Sequence, residues 1–138
     1  MYHGWVDPVG PPSDAIAYFR SVENASGGAD RASAFLRLYL VPGMSRCNGG
    51  PGYELAGGAR GTDNPDDVPK SESRDAENDM LSALDAWVSR GTAPGALIAA
   101  HYEDRKPTRT IKVCPFPQVA QWTGKGSSSA DNWVCRTR

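Results

Sequence analysis

Val41-Pro42-Gly43-Met44-Ser45-Arg46-Cys47-Asn48-Gly49-Gly50-Pro51 is the stretch on which the fold turns. Before it, Ala34-Phe35-Leu36-Arg37-Leu38-Tyr39-Leu40-Val41 combines bulky apolar residues with enough alternation to predict a strand over 34–41, lying centrally in a sheet. Pro42-Gly43 ends that strand, and the glycines beyond it predict a loop. Gly57-Gly58 and Asn64-Pro65-Asp66-Asp67 carry the same composition onward, so 45–70 reads as one irregular excursion. Loops of this length often carry function.

Upstream, Tyr2-His3-Gly4-Trp5-Val6-Asp7-Pro8 reads as the last residues of a strand followed by a turn, because Gly and Asp-Pro favour bends. A domain seldom begins at the exit of a buried strand, which would leave unpaired backbone groups in its sheet. Residues upstream are therefore expected. Pro11-Pro12-Ser13-Asp14 is a helix-start signal, with Ser13 or Asp14 able to cap free amides and Ile16, Phe19 and Val22 at helical spacing. The helix is predicted over about 14–25 and ends at Gly27-Gly28.

Downstream, 75–90 is the strongest helix signal. Met80, Leu81, Leu84, Trp87 and Val88 are predicted to share one face, acids stand near its start, and Gly91 and Pro94 stop it. Short strands are predicted over 97–102 and 110–113 as a hairpin, before a Cys114-Pro115-Phe116-Pro117 turn. No further element and no internal repeat is read beyond that turn.

Composition bounds the rest. With 15 glycines and 11 prolines in 138 residues, much of the chain must be turn and loop around a thin core. A net charge of −1 with scattered basic residues gives no field for nucleic acid or an anionic membrane, so neither partner is expected. No apolar run is long enough to span a bilayer, and no export signal is read in the first residues. Cys47, Cys114 and Cys135 make an odd count: a secreted chain would keep one thiol without an internal partner, whereas a cytosolic chain would keep all three reduced.

Taken in order, these motifs resemble the tannase and feruloyl esterase family, which also includes hydrolases of aromatic monoesters of terephthalate. The segment at Tyr2 to Pro8, the Tyr18-Phe19 pair, the loop from Val41 to Pro51, Trp87-Val88, the Gly91 to Pro94 turn, Cys114 to Ala120, the Gly124-Lys125-Gly126-Ser127 run and Cys135 all fit its pattern. The resemblance implies an α/β class chain, the C-terminal part of an α/β-hydrolase fold, with residues 1–138 forming a single partial domain. It implies a secreted or periplasmic serine carboxylic ester hydrolase acting on small aromatic esters such as gallate or ferulate esters. The nucleophile and the lid would lie in the missing N-terminal part of the same fold. Asp7 falls at the position of the triad acid and Arg46 at that of the triad histidine. Cys114 and Cys135 fall at the pair that closes the family's C-terminus, and Cys47 at a cysteine whose partner lies upstream beside the serine.

No cofactor is implied. The family's calcium site belongs to its lid, and Asp63, Asp66 and Asp67 lack an EF-hand's spacing, so no metal is assigned. The arginine is the departure that matters. Acyl transfer needs a group that takes a proton from serine and returns it to the leaving alkoxide, whereas a guanidinium is a permanent donor with no acceptor lone pair. An Arg46–Asp7 ion pair could tie the two loops together without proton transfer. His3 and His101 are the remaining imidazoles, His3 read as part of a strand end and His101 as part of a strand. The expectation is an inactive chain. The alternatives are a non-catalytic module whose 48–61 loop and Trp5, Trp122 or Trp133 bind an aromatic or glycan ligand, and a small cytosolic structural protein.

Overall fold

The structure is a computed structural model that describes residues 1–55, 73–104 and 106–137. Its first unit is a strand, a helix and a strand: β1 at Tyr2–Gly4, α1 at Pro12–Ala25 and β2 at Tyr39–Val41. β1 and β2 run parallel, with Tyr2 opposite Tyr39, His3 opposite Leu40 and Gly4 opposite Val41. A parallel pair needs a crossover connection, and α1 supplies it. On its other edge β2 is met by a bridge from Tyr39 to Pro115 and by the Phe116 amide donating to the Leu38 carbonyl at 2.8 Å.

Helix α1 begins two residues earlier than expected, with Pro11 as its N-cap and Pro12 in the first turn. No side chain caps it, so neither Ser13 nor Asp14 plays that part. Pro11 offers no side-chain acceptor, Pro12 has no N–H to satisfy, and the Asp14 amide donates instead to the Pro11 carbonyl at 3.0 Å. Phe19 is the buried anchor, meeting Phe116 edge to face with ring centroids 5.6 Å apart.

The strand predicted over 34–41 is shorter. Gly28 starts a small helix, α2 at Ala29–Ala32, and helical turns persist beyond it, with Phe35 and Leu36 amides donating back to the Ala32 carbonyl. Local i→i−3 and i→i−4 bonds compete with sheet pairing there, and only the last three residues pair with β1.

The excursion read over 45–70 contains β3 at Glu54–Leu55, a strand the sequence did not announce, and residues 56–72 lie outside the described part. Helix α3 spans Met80–Arg90, shorter than 75–90. Asp79 is its N-cap, accepting from the Ser82 amide at 2.7 Å, and Gly91 ends it with φ of 68°. Asp75 instead caps the preceding turn, accepting from the Ser73 hydroxyl and from the Glu77 and Asn78 amides, which lowers its pKa to about 2. The apolar face divides in two. Ala83 and Ala86 are buried and Met80 packs against the core, whereas Leu81, Leu84 and Val88 are exposed. Leu81, Leu84 and Val88 sit on an adjoining flank at their own i, i+3, i+7 spacing, so one periodic set becomes two stripes.

The predicted hairpin is present and longer: β4 at Leu97–Glu103 pairs antiparallel with β5 at Lys106–Val113, and β3 lines the other edge of β4. Beyond it two unannounced strands, β6 at Val119–Trp122 and β7 at Trp133–Arg136, form an antiparallel pair. The core gathers Tyr39, Val41 and Met44 with Leu55, Ala83, Leu97, Ala99, Ile111 and Val113. Tyr39 ties the α3–β4 connection to this core, its hydroxyl donating toward the Pro94 and Gly95 carbonyls at 3.0 and 2.8 Å, and burial pushes its pKa to about 12. Among the described residues no helix is long and apolar enough to cross a membrane.

Cys114, at the end of β5, is bonded to Cys135 in β7, 21 residues later. The bond closes a loop whose own core is small. Reduction, or the double change Cys114→Ser and Cys135→Ser, should therefore cost about 3 kcal/mol of stability, the loop-closure value for a ring of this size. Urea unfolding with and without a phosphine reductant measures it, and a change below about 1 kcal/mol would contradict the expectation.

Candidate active site

Asp7 follows the C-terminal end of β1, and Arg46 lies on the loop that leaves the C-terminal end of the adjacent parallel strand β2. Backbone packing brings them together. The Trp5 amide donates to the Val41 carbonyl and the Val6 amide to the Met44 carbonyl, each at 3.1 Å, so the segment leaving β1 runs along the start of the second loop. Gly4 is what permits this contact: a Cβ there would stand 1.8 Å from the Ser45 carbonyl oxygen and 2.2 Å from that of Met44.

The loop of residues 43–52 is itself closed by backbone. Ser45 donates to the Gly49 carbonyl at 2.8 Å, Gly52 to the Gly43 carbonyl and Tyr53 to the Pro42 carbonyl, both at 3.0 Å. Gly43, at φ of 69°, and Gly52 lie backbone against backbone, with a Cβ on Gly43 placed 2.5 Å from the Gly52 Cα. The glycines that mark this stretch as a loop are thus the residues that fold it back on itself.

The Asp7 carboxylate is 2 % exposed and its two oxygens have different partners. Oδ1 accepts from the Val9 amide at 2.8 Å and the Gly10 amide at 3.1 Å, a turn in which the side chain organises its own backbone. Oδ2 faces the Arg46 Nε at 3.8 Å and the His3 Nε2 at 3.7 Å. The Val9 and Gly10 amides, followed by Arg46 and His3, lower the Asp7 pKa against the opposing cost of burial. Asp7 is therefore ionised throughout the neutral range, and Oδ2 is the oxygen left available to a donor. Arg46 is 59 % exposed and its pairing is loose.

The two histidines go elsewhere. His3 Nε2 lies 2.9 Å from the Gly10 carbonyl, so its N–H holds the Asp7 turn, and the 3.7 Å contact to Oδ2 is too long for a second hydrogen bond. His101 Nδ1 stands 2.5 Å from the Gly52 carbonyl, with Nε2 at 3.6 Å from Glu103. Neither His101 partner is Asp7. Nothing in the sequence marked His101 as a loop contact, because its partner is 49 residues away.

Cys47, beside Arg46, is a half-buried free thiol, and Cys114 and Cys135 form the disulfide. Trp5 and Trp122 are exposed, and Trp133 packs against the core. Asp63, Asp66 and Asp67 lie outside the described residues, as does most of the 48–61 loop from residue 56 onward. Among the described residues no group of three or more His, Cys, Asp or Glu is placed to hold a metal ion.

Comparison with known proteins places these elements. Residues 1–136 match the family described as tannase and feruloyl esterase. The chain is 36% identical over 151 residues to an uncharacterized esterase of Xanthomonas campestris pv. campestris, a match covering 98% of this chain and 25% of that protein. It is 34% identical over 139 residues to the mono(2-hydroxyethyl) terephthalate hydrolase of Piscinibacter sakaiensis, covering 98% of this chain and 19% of that one. The chain thus spans about a quarter or less of the length of these curated relatives. An esterase from Aspergillus oryzae shares its fold, with a TM-score of 0.83 at 24% identity, over 98% of this chain and 26% of that one. Tannin acyl hydrolase from Aspergillus niger does so with a TM-score of 0.67 at 21% identity, over 99% and 22%.

Two measurements test the geometry. Gly4→Ala should destabilise the chain by about 3 kcal/mol or more, because backbone carbonyls cannot yield as a side chain would; an unchanged urea midpoint would refute the close approach. In Arg46→His, the introduced imidazole should titrate above the ordinary ~6.5, as a carboxylate beside it favours its charged form. Adding Asp7→Asn should return that midpoint to the ordinary range by NMR titration, and a midpoint indifferent to Asp7 would show that the two positions do not meet.

Proposed function

Because this chain belongs to the tannase and feruloyl esterase family, we propose that it is the C-terminal part of an α/β-hydrolase catalytic domain from a serine carboxylic ester hydrolase. Residues 1–138 then make up a single partial domain. Asp7 is the acid of the triad, and position 46 is the place of its histidine. The nucleophile, the lid and the partner of Cys47 belong to the upstream part of the same fold. The substrates of the whole protein are small esters of aromatic acids, in keeping with relatives described as feruloyl esterases. The Cys114–Cys135 bond supports an oxidising, extracytoplasmic location.

The observation that carries this reading is the convergence of Asp7 Oδ2 and the Arg46 side chain at the ends of two adjacent parallel strands. Open α/β sheets bind and react there. With an imidazole at position 46, its Nδ1–H would donate to Asp7 Oδ2 and leave Nε2 to take the serine proton. The serine oxygen would then bond to the ester carbonyl carbon, and Nε2–H would return the proton to the departing alkoxide. Asp7 is prepared for this part, being ionised with one oxygen already held by two amides.

Arginine keeps the contact and removes the chemistry. Its guanidinium, with a pKa of ~12.5 or more, stays protonated through the neutral range and cannot receive the serine proton. His3 and His101 do not replace it, since each has a backbone carbonyl as its hydrogen-bond partner. This chain is therefore read as inactive by itself, first for want of a serine nucleophile and second for want of a base. A non-catalytic module that binds an aromatic or glycan ligand is the second reading, favoured by the exposure of Trp5 and Trp122.

The test joins this chain to the upstream three quarters of the Xanthomonas esterase and follows hydrolysis of methyl ferulate and a p-nitrophenyl ester. The Arg46 form should turn over slowly, Arg46→His should raise kcat on the order of 10³-fold or more, and Asp7→Asn should remove most of that gain. A folded chimera whose activity ignores position 46 would refute the assignment and favour the binding module.

A further inference from the structure

We infer that His101 is a positioning residue for the loop that carries position 46. His101 sits in β4, opposite Arg109 in β5, and its ring nitrogen Nδ1 reaches the Gly52 carbonyl at 2.5 Å. A carbonyl only accepts, so the tautomer is fixed with the proton on Nδ1.

Gly52 is the closing residue of the loop. Its amide donates to the Gly43 carbonyl, and its Cα lies against Gly43, where no side chain would fit. The next amide, that of Tyr53, donates to Pro42. One imidazole thus holds the peptide unit through which both ends of the loop are joined. The far side of the loop rests on Gly4, Trp5 and Val6, so it is gripped between β1 on one side and β4 on the other. Between the grips lie Arg46 and Cys47.

The surroundings hold the ring in place. Glu103 stands 3.6 Å from Nε2, the ring nitrogen that does not meet Gly52. Arg109 stacks over the Tyr53 ring at 5.5 Å, fixing the residue after Gly52 to the strand opposite His101. The side chain is 19 % exposed, which limits the competition of water for the Gly52 carbonyl.

The catalytic meaning of this grip rests on the proposed triad, but the grip does not. Its test therefore uses the chain as it is, with Cys47 as reporter: the half-buried thiol lies inside the gripped segment, and the other two cysteines are in the disulfide. The rate of Cys47 labelling by a disulfide reagent is measured, together with amide exchange at Ser45 and Gly52, in wild type, His101→Ala, His101→Asn and His101→Gln. Asparagine places an amide N–H near the position of Nδ1, whereas glutamine reaches toward the position of Nε2.

His101→Ala and His101→Gln should speed labelling and exchange about 5-fold, the population change expected for one net hydrogen bond, and His101→Asn should stay within about 2-fold of wild type. Equal rates in wild type and His101→Ala, or acceleration in His101→Asn as large as in His101→Gln, would overturn the inference. Should His101→Ala not fold by circular dichroism, the asparagine and glutamine pair decides alone. No ester is hydrolysed in this experiment, so its failure leaves the ester hydrolase reading standing, and the failure of that reading leaves this one.

Discussion

The constraint on which the rest depends is the contact of the Gly4 backbone with the Met44 and Ser45 carbonyls, a space closed to any side chain. Two parallel strands only three residues long would by themselves fix little. The contact continues their pairing past the sheet, through the Trp5 and Val6 amides, into the two segments that leave it. Asp7 and residue 46 are consequently set by backbone, before any side chain takes part. A second backbone contact of the same kind, Gly43 on Gly52, closes the loop from its other end. Glycine is needed at these places because two main chains approach to within van der Waals distance.

The electrostatics follow from that frame. Asp7 takes two amides of its own turn on Oδ1, and these are the leading causes of its lowered pKa, ahead of Arg46. The acid is therefore organised whether or not a base stands beside it. A depressed folded pKa contributes stability that is present above the unfolded value of ~3.9 and fades as pH falls below it, so this turn is fully held at neutral pH. Exchanging the side chain at position 46 leaves the Asp7 turn and the close approach of the two loops in place, because neither is built from it.

Legibility in the sequence tracked the range of the interaction. Helices α1 and α3 and the β4–β5 hairpin were readable because apolar spacing, prolines and the Gly91 stop act within a few residues. β3, β6 and β7 were not, since strands of two to four residues in Gly- and Pro-rich surroundings exist only through partners far along the chain. Residues 34–36 looked like strand because periodicity counts apolar residues, whereas the backbone from Gly28 to Leu36 satisfied itself in helical turns first. On α3 the same blindness to partners merged a buried stripe with an exposed one. Asp7 and position 46 were singled out only as members of an ordered motif series, and neither residue by itself marked their approach across the two loops. The roles of His3 and His101 were not legible, because each is defined by a carbonyl that no pattern of side chains reveals.

Those carbonyls bear directly on the proposed reading of position 46. The chain has two histidines, and both are engaged with loop carbonyls: His3 with Gly10 in the Asp7 turn, His101 with Gly52 at the base of the second loop. Either would have to give up its carbonyl contact, one of several that hold its loop, before that nitrogen could take part in proton transfer. A spare imidazole could rescue a triad only where its removal from structure is cheap, and here each removal would disturb one of the two loops that must meet. On the proposed reading the acid, the loop and the imidazoles around them persist as a scaffold for general-base chemistry. On that same reading, the group this chain would have to exchange to supply a base is the single side chain of residue 46.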